Sequence, residues 1–159
     1  MSMHPWPHLV KRLKKGQVLL GLDVGEKTIG IAICDPAFKI ATPLTTIERR
    51  KVTVDMAALA KLAKERGVGG FVIGLPLHMD GRESKMSEKI RVFAKQMLEA
   101  REVFGTEPEL SLWDERLSTE TATRFLIDDV DLSRKRRDEI IDKMAAQIIL
   151  QTALDRLHA

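Results

Sequence analysis

Apolar runs of strand length alternate with stretches of helical spacing along the 159 residues. Val18 to Val24 and Thr28 to Cys34 are β-rich, and Gly25, Glu26 and Lys27 between them predict a hairpin with a tight turn. Ile40 to Ile47 follows the turn cluster Asp35-Pro36-Ala37 and predicts a third strand. Asp55 to Arg66 places Met56, Leu59, Ala60 and Ala63 on one helical stripe, with Gly67 where a C-terminal cap belongs. Gly70 to Leu75 is a short buried strand closed by Pro76. Ser84 to Arg101 returns to helical spacing through Ile90, Phe93, Ala94 and Met97. Glu109 to Trp113 predicts the last strand, Ser118 caps a helix to about Ile127, and Ser133 caps a final helix reaching Leu157.

The connections between the first three strands are too short for crossovers, whereas the later strands each follow a helix and should join the sheet in parallel. The expected architecture is α/β, in three layers: a mixed five-stranded sheet with helices on both faces. Residues 1–17 read as a basic arm carrying Lys11, Arg12, Lys14 and Lys15, and residues 18–159 as one domain. A hydrophobic share of 44% and a charged share of 31% fit a soluble globular chain. A net charge of +3 permits a polyanionic partner without requiring one. Cys34 is the sole cysteine, so no internal disulfide forms, and a reducing compartment is expected. With no transmembrane run and no signal-peptide core, the expected location is cytoplasmic.

Three segments place acids where unpaired charge is costly. Asp23 ends the apolar run Val18-Leu19-Leu20-Gly21-Leu22, although a simple turn with Gly25 would also account for it. Asp142 falls on the helical face of Ala145, Ala146, Ile149 and Ala153, with Asp138 one turn earlier, whereas Lys143, Gln147, Gln151 and Asp155 mark the polar side. A salt bridge to a nearby arginine would satisfy Asp142, and so would a bound cation. Asp114 and Glu115 follow the last strand. Alternation groups Asp114 with Leu110 and Leu112, and Glu115 with Ser111 and Trp113, so only one of them faces the Asp142 helix; the pattern does not say which. Pairing with Arg116 is the plainer reading of either. Acids from three segments without a His or Cys cluster suit Mg²⁺ or Mn²⁺ rather than zinc. Two such ions can activate water and stabilise the leaving oxygen of a phosphodiester.

Four motifs in order carry a family resemblance: Gly21-Leu22-Asp23-Val24-Gly25-Glu26-Lys27-Thr28-Ile29-Gly30, Gly74-Leu75-Pro76-Leu77-His78-Met79-Asp80-Gly81, Asp114-Glu115-Arg116-Leu117-Ser118-Thr119, and Asp142-Lys143-Met144-Ala145-Ala146 with Ile148-Ile149-Leu150. From about Val18 onward the chain resembles the RuvX/YqgF family of RNase H-like proteins, described as Holliday junction resolvases and pre-16S rRNA 5′-end nucleases. The resemblance implies an RNase H-like fold and a metal-binding catalytic set of Asp23, an acid of the Asp-Glu-Arg motif, and Asp142. On that resemblance Glu115 is preferred as the third ligand, with Asp114 and Asp138 as further candidates. The chain departs from the family pattern at His78, where Asn is frequent, and at Thr28, where Arg is common. An ordinary loop histidine accounts for His78, since two-metal hydrolysis needs no general base from it.

Lys27, Arg82, Arg116, Arg134, Lys135, Arg136 and Arg137 are the candidate phosphate contacts. The last four oppose the dipole at a helix start, which phosphate binding would justify as well as a solvated basic loop does. With no Tyr and few aromatics, base stacking is disfavoured, and recognition by backbone shape suits structured RNA, as in a pre-rRNA, or branched DNA. Symmetric cutting of a junction would demand a homodimer. Two rivals stand beside the nuclease: an ATP-binding phosphotransferase, from Asp23-x-Gly25 with Gly30, and a non-catalytic nucleic-acid binder of the same fold.

Overall fold

The computed structural model describes residues 3–117 and 134–159. Its five strands are β1 Val18–Val24, β2 Thr28–Cys34, β3 Ala41–Glu48, β4 Val68–Leu75 and β5 Leu110–Asp114. The helices are α1 His8–Lys11, α2 Val52–Arg66, α3 Lys85–Glu99, α4 Arg101–Phe104 and α5 Arg134–Leu157, with a 3-10 turn at Glu115–Leu117. The expected helix from Ser118 to Ile127 and the Ser133 cap lie outside the described residues.

The strands lie in the order β3-β2-β1-β4-β5. The hairpin pairs β1–β2 and β2–β3 are antiparallel. The pairs β1–β4 and β4–β5, whose members are separated by helices, are parallel. This is the mixed sheet expected from connection lengths. The Gly25 amide donates to the Thr28 carbonyl at 2.8 Å to close the first hairpin. Gly67 ends α2 at φ 66°, a left-handed cap that glycine adopts without a Cβ penalty.

Side chains alternate across the sheet and divide the core in two. Leu20, Leu22, Ile29, Ile31, Phe71 and Ile73 pack against Met56 and Leu59 of α2 and against Ile90, Phe93 and Met97 of α3. On the opposite face Leu19, Ala32, Val72 and Trp113 pack against Ala146, Ile149, Leu150 and Ala153 of α5. Helices therefore cover both faces, as the three-layer expectation requires.

Three details differ from the sequence reading. Helix α2 begins at Val52 rather than Asp55, with Val52 and Val54 exposed and so invisible to an apolar-stripe argument. The basic arm contains a structured part: Met3 bridges Leu110 at the β5 edge, and Leu9 of α1 is fully buried. The row Lys143, Gln147, Gln151, expected to be solvated, runs along β3. The Gln151 side chain accepts from the Ala41 amide at 2.8 Å, and Gln147 donates to the Ala41 carbonyl at 3.0 Å. Glutamine amides supply both the donor and the acceptor that an edge strand leaves unpaired.

Candidate active site

Strand alternation sends Asp23 to the α5 face together with Leu19 and Gly21, at the C-terminal end of β1. Its antiparallel partner is Gly30. A Cβ on Gly30 would lie 2.0 Å from the Asp142 carbonyl oxygen, so the missing side chain is what allows the first turns of α5 to rest on the sheet beside Asp23. The Thr28 hydroxyl donates to the Asp142 carboxylate at 2.5 Å and aims it toward the same strand end. Three further hydrogen bonds hold α5 in place along its length. Thr46 donates to the Glu139 carbonyl at 2.7 Å, and the Trp113 indole donates to the Thr152 hydroxyl at 3.0 Å. Gln151 also donates to the Lys39 carbonyl at 2.9 Å.

Glu115 begins the 3-10 turn directly after β5 and continues the alternation of Ser111 and Trp113, which places it on the α5 face. Strand β4 lies between it and Asp23. Neighbouring strands are about 4.8 Å apart, so an acid beyond β5 must reach over β4 to meet one on β1. Gly74 of β4 leaves the necessary room, since a Cβ there would lie 2.5 Å from the Glu115 Oε1. Glu115 crosses it to within hydrogen-bonding reach of Asp23, and a proton retained by either carboxyl would bridge the pair. The longer glutamate side chain makes that span. Asp114 has the opposite parity and binds Arg116, whose Nε donates to both carboxylate oxygens at 3.0 and 2.9 Å.

The electrostatics separate these adjacent acids. Burial, then the Asp142 charge, push Asp23 up to about 6. Burial, then the Asp23 charge and its hydrogen bond, push Glu115 up to about 7. Asp142 is raised as well, by burial first and by Asp138 and Glu139 to a smaller extent, against the Thr28 hydrogen bond. Asp114 is held below the usual carboxylate range by its Arg116 hydrogen bonds. Like charges in a half-buried site favour retention of a proton.

The structure thus brings Asp23, Glu115 and Asp142 to one end of the sheet. Asp138 is exposed on the preceding turn of α5. Among the described residues no three His, Cys, Asp or Glu side chains are grouped as a ready-made ligand set. In its place stand a proton-sharing carboxyl pair and a third carboxylate bonded to Thr28. A cavity of about 760 Å³ opens beside Asp142, lined by Lys27, Thr28, Glu48, Arg49, Asp138 and Glu139.

The basic candidates are dispersed. Lys27 is exposed on the cavity rim. Arg82 pairs with Asp80 at 2.5 Å within the loop carrying the exposed His78. Arg116 binds Asp114 and also donates to the Met79 carbonyl at 3.1 Å, so it braces that loop. Arg136 is exposed on the first turn of α5 and lines a second cavity of about 430 Å³ with Lys143. Arg134, Lys135 and Arg137 stand on the same turn, with side chains outside the described ones. Two further residues belong to this site: Arg49, which no motif marks, and Thr28, which the sequence marks only as a departure from the family pattern. Thr28 left no signal beyond that departure, because the acid it binds, Asp142, stands on α5. For Arg49 there was none.

A family model described as "RuvX: Holliday junction resolvase" matches residues 17–156. A protein of Rhodospirillum centenum named "Putative pre-16S rRNA nuclease" is 46% identical over 158 residues, covering 99% of this chain and 84% of its own. A Rhodobacter capsulatus protein of the same name is 49% identical over 139 residues, covering 87% and 84%. Among solved structures, Thermus thermophilus RuvC in complex with a Holliday junction substrate superposes with a TM-score of 0.55 at 12% identity, covering 90% of this chain and 97% of that one. That likeness is one of fold, and the fold is RNase H-like. Matched by the family model through the whole sheet and nearly all of α5, and nearly half identical to relatives across almost its full length, the chain belongs to the RuvX family.

Proposed function

We propose that this chain is a metal-dependent nuclease that hydrolyses phosphodiester bonds at the Asp23, Glu115 and Asp142 cluster. Its first substrate in this reading is the 5′ end of pre-16S rRNA, processed in the cytoplasm during ribosome biogenesis. The observation that carries the reading is the half-buried pair Asp23 and Glu115 next to Asp142, three carboxyls from three elements gathered at one strand end. Burial of like charges is unfavourable unless a cation offsets it, and a pure nucleic-acid binder would gain nothing from acids facing phosphates. Oxygen donors without His or Cys fit Mg²⁺ or Mn²⁺. Asp23, Glu115 and Asp142 are the residues that would hold the ions, with Asp138 within electrostatic reach. When bound, two such ions supply an activated water and charge stabilisation at the leaving oxygen.

The chain's own residues have definable tasks. A proton retained by Glu115 or Asp23 competes with a cation for the pair, so cation binding should strengthen as pH rises through their raised values. Thr28 orients Asp142. Lys27 and Arg136, exposed around the two cavities, are placed to contact phosphates of a structured substrate. A phosphotransferase would close a nucleotide between two domains, whereas the described residues build one sheet.

Resolution of a Holliday junction is the second reading, favoured by the description of the family model, and would require a homodimer for symmetric cutting. One preparation assayed on both a pre-16S RNA 5′-end substrate and a four-way DNA junction, with Mg²⁺, Mn²⁺ or EDTA, decides between them. RNA cleavage that depends on the metal is expected. Asp23→Asn and Asp142→Asn should each abolish it while thermal melting still reports a folded chain, and full activity in either would overturn the metal assignment.

A further inference from the structure

The turn between β1 and β2 has Asp23 at one end and Thr28, the partner of Asp142, at the other. A single residue from outside the hairpin grips both ends of that turn. The backbone amide of Arg49, just past β3, donates to the Lys27 carbonyl at 2.8 Å. Its guanidinium Nη1 donates to the Gly25 carbonyl, also at 2.8 Å. We infer that Arg49 is a positioning residue of this site, setting the backbone that carries Asp23 and Thr28. The inference rests on the reading of that cluster as a cation-binding centre.

The grip has a rigid base in the opposite layer. The Arg49 guanidinium lies 5.3 Å from the centre of the Phe93 ring on α3, a cation–π contact. Its Nε stands 3.7 Å from Oδ2 of Asp55 on α2. Asp55 is 1% exposed. Its Oδ1 accepts the Arg50 amide at 2.8 Å, and its Oδ2 has no hydrogen bond. A buried carboxylate at the start of a helix is stabilised by the dipole and by a facing guanidinium, which explains why an acid is kept where solvent cannot reach it. The chain of contacts is therefore α2 and α3 to Arg49, Arg49 to Gly25, and the turn to Asp23 and Thr28. The ring and carboxylate contacts of Arg49 lie on the α2/α3 side of the sheet, so this residue acts on the acids through the turn backbone. A phosphate-contacting role is the competing assignment, because Arg49 also lines the cavity beside Asp142.

Arg49→Lys keeps the charge but loses the planar fork that serves carbonyl, carboxylate and ring together. Asp55→Asn turns Arg49 loose without touching the hairpin. Each variant is measured by amide hydrogen exchange at Gly25, by calorimetric titration with Mn²⁺, and by kcat and KM on the cleaved RNA, with melting curves as the folding control. The expected result is faster exchange at Gly25, Mn²⁺ affinity and kcat lowered roughly tenfold, as for residues that orient metal ligands, and KM within about twofold. The double variant should be no worse than the weaker single one, since both act through one contact. Unchanged exchange and Mn²⁺ affinity in both variants would overturn the inference, as would a raised KM with kcat intact, which makes Arg49 a substrate contact. Wild-type protein that binds no Mn²⁺ would instead remove the nuclease reading, while Gly25 exchange still decides whether Arg49 holds the turn.

Discussion

On the α2/α3 side of the sheet, Leu22, Ile29, Ile31 and Ile73 fill the space between strands and helices with large side chains. On the α5 side, the neighbouring positions Gly21, Gly30 and Gly74 carry no side chain. A Cβ at Gly21 would sit 2.7 Å from that of Leu150, and one at Gly30 would sit inside the α5 backbone. The first face is held by volume and the second by closeness. Large side chains hold a helix away from the sheet and keep the interior dry. Glycine and alanine bring a helix backbone down to the strands, and polar groups at its first turns then meet polar groups at the strand ends. The carboxyls of this protein stand on the second face for that reason.

The largest test of this contrast is Glu115→Gln, which keeps the shape of the side chain and removes its charge. Cleavage should fall on the order of a thousandfold, about 4 kcal/mol at 1.36 kcal/mol per decade, with the melting temperature kept or raised. Activity near wild type would show that the proton-sharing pair has no part in the chemistry.

Next in size is Gly30→Ala. One methyl group meets backbone 2.0 Å away, and a helix backbone cannot step aside as a flexible side chain can. Overpacking of this kind costs roughly 1–3 kcal/mol, occasionally more. Urea unfolding should show that loss together with a drop in cleavage, because Asp142 moves with the helix. A truncation on the other face, Leu22→Ala, should cost a similar 2–5 kcal/mol and leave the activity of the folded fraction much closer to normal. Equal catalytic damage from both would dissolve the distinction between the faces.

The pH dependence of stability is smaller. Asp23 and Glu115 are raised to about 6 and about 7, so between roughly pH 4 and pH 7 the native chain binds more protons than the unfolded one. Their contribution is fully present below the unfolded carboxylate range and is lost as pH rises through the folded values. Without divalent cations the protein should therefore gain about 1–3 kcal/mol between pH 8 and pH 5, and Asp23→Asn should flatten the curve. Asp114 and Asp35, held below the usual range, act with the opposite sign and only at more acid pH. Stability that rises steadily from pH 5 to pH 8 would contradict the shared proton.

Smallest is Asp114→Asn, one residue from Glu115 but facing the other way. Its exposed pairing with Arg116 is worth roughly 0–1 kcal/mol, and cation binding should be unaffected in a calorimetric titration.

Much of this was legible in the residues alone. The β-rich apolar runs of β1 and β2, helical spacing in α2, α3 and α5, and turn chemistry at Gly25, Asp35 and Gly67 are local properties. Each described element except the short α1, α4 and the 3-10 turn follows from the order of its own residues to within a few positions. The costly acids Asp23 and Asp142 were visible because an apolar run and a helical stripe are periodic, and a charge interrupts the period. Strand alternation divided Asp114 from Glu115 but could not name the face that α5 would cover, and the choice of Glu115 rested on resemblance. Only the packed sheet decides it: Gly74 opens a path over β4, and Glu115 is long enough to use it. Thr28 and Arg49 were hidden for a similar reason. Their partners, Asp142 for Thr28 and Gly25 and Phe93 for Arg49, stand on other elements, and a contact between separate elements leaves no periodic trace. The sequence by itself determined the elements and the acids that are expensive to bury. Tertiary structure decided which of those acids meet, because meeting depends on how closely α5 approaches the sheet, and glycines on three separate strands set that distance together.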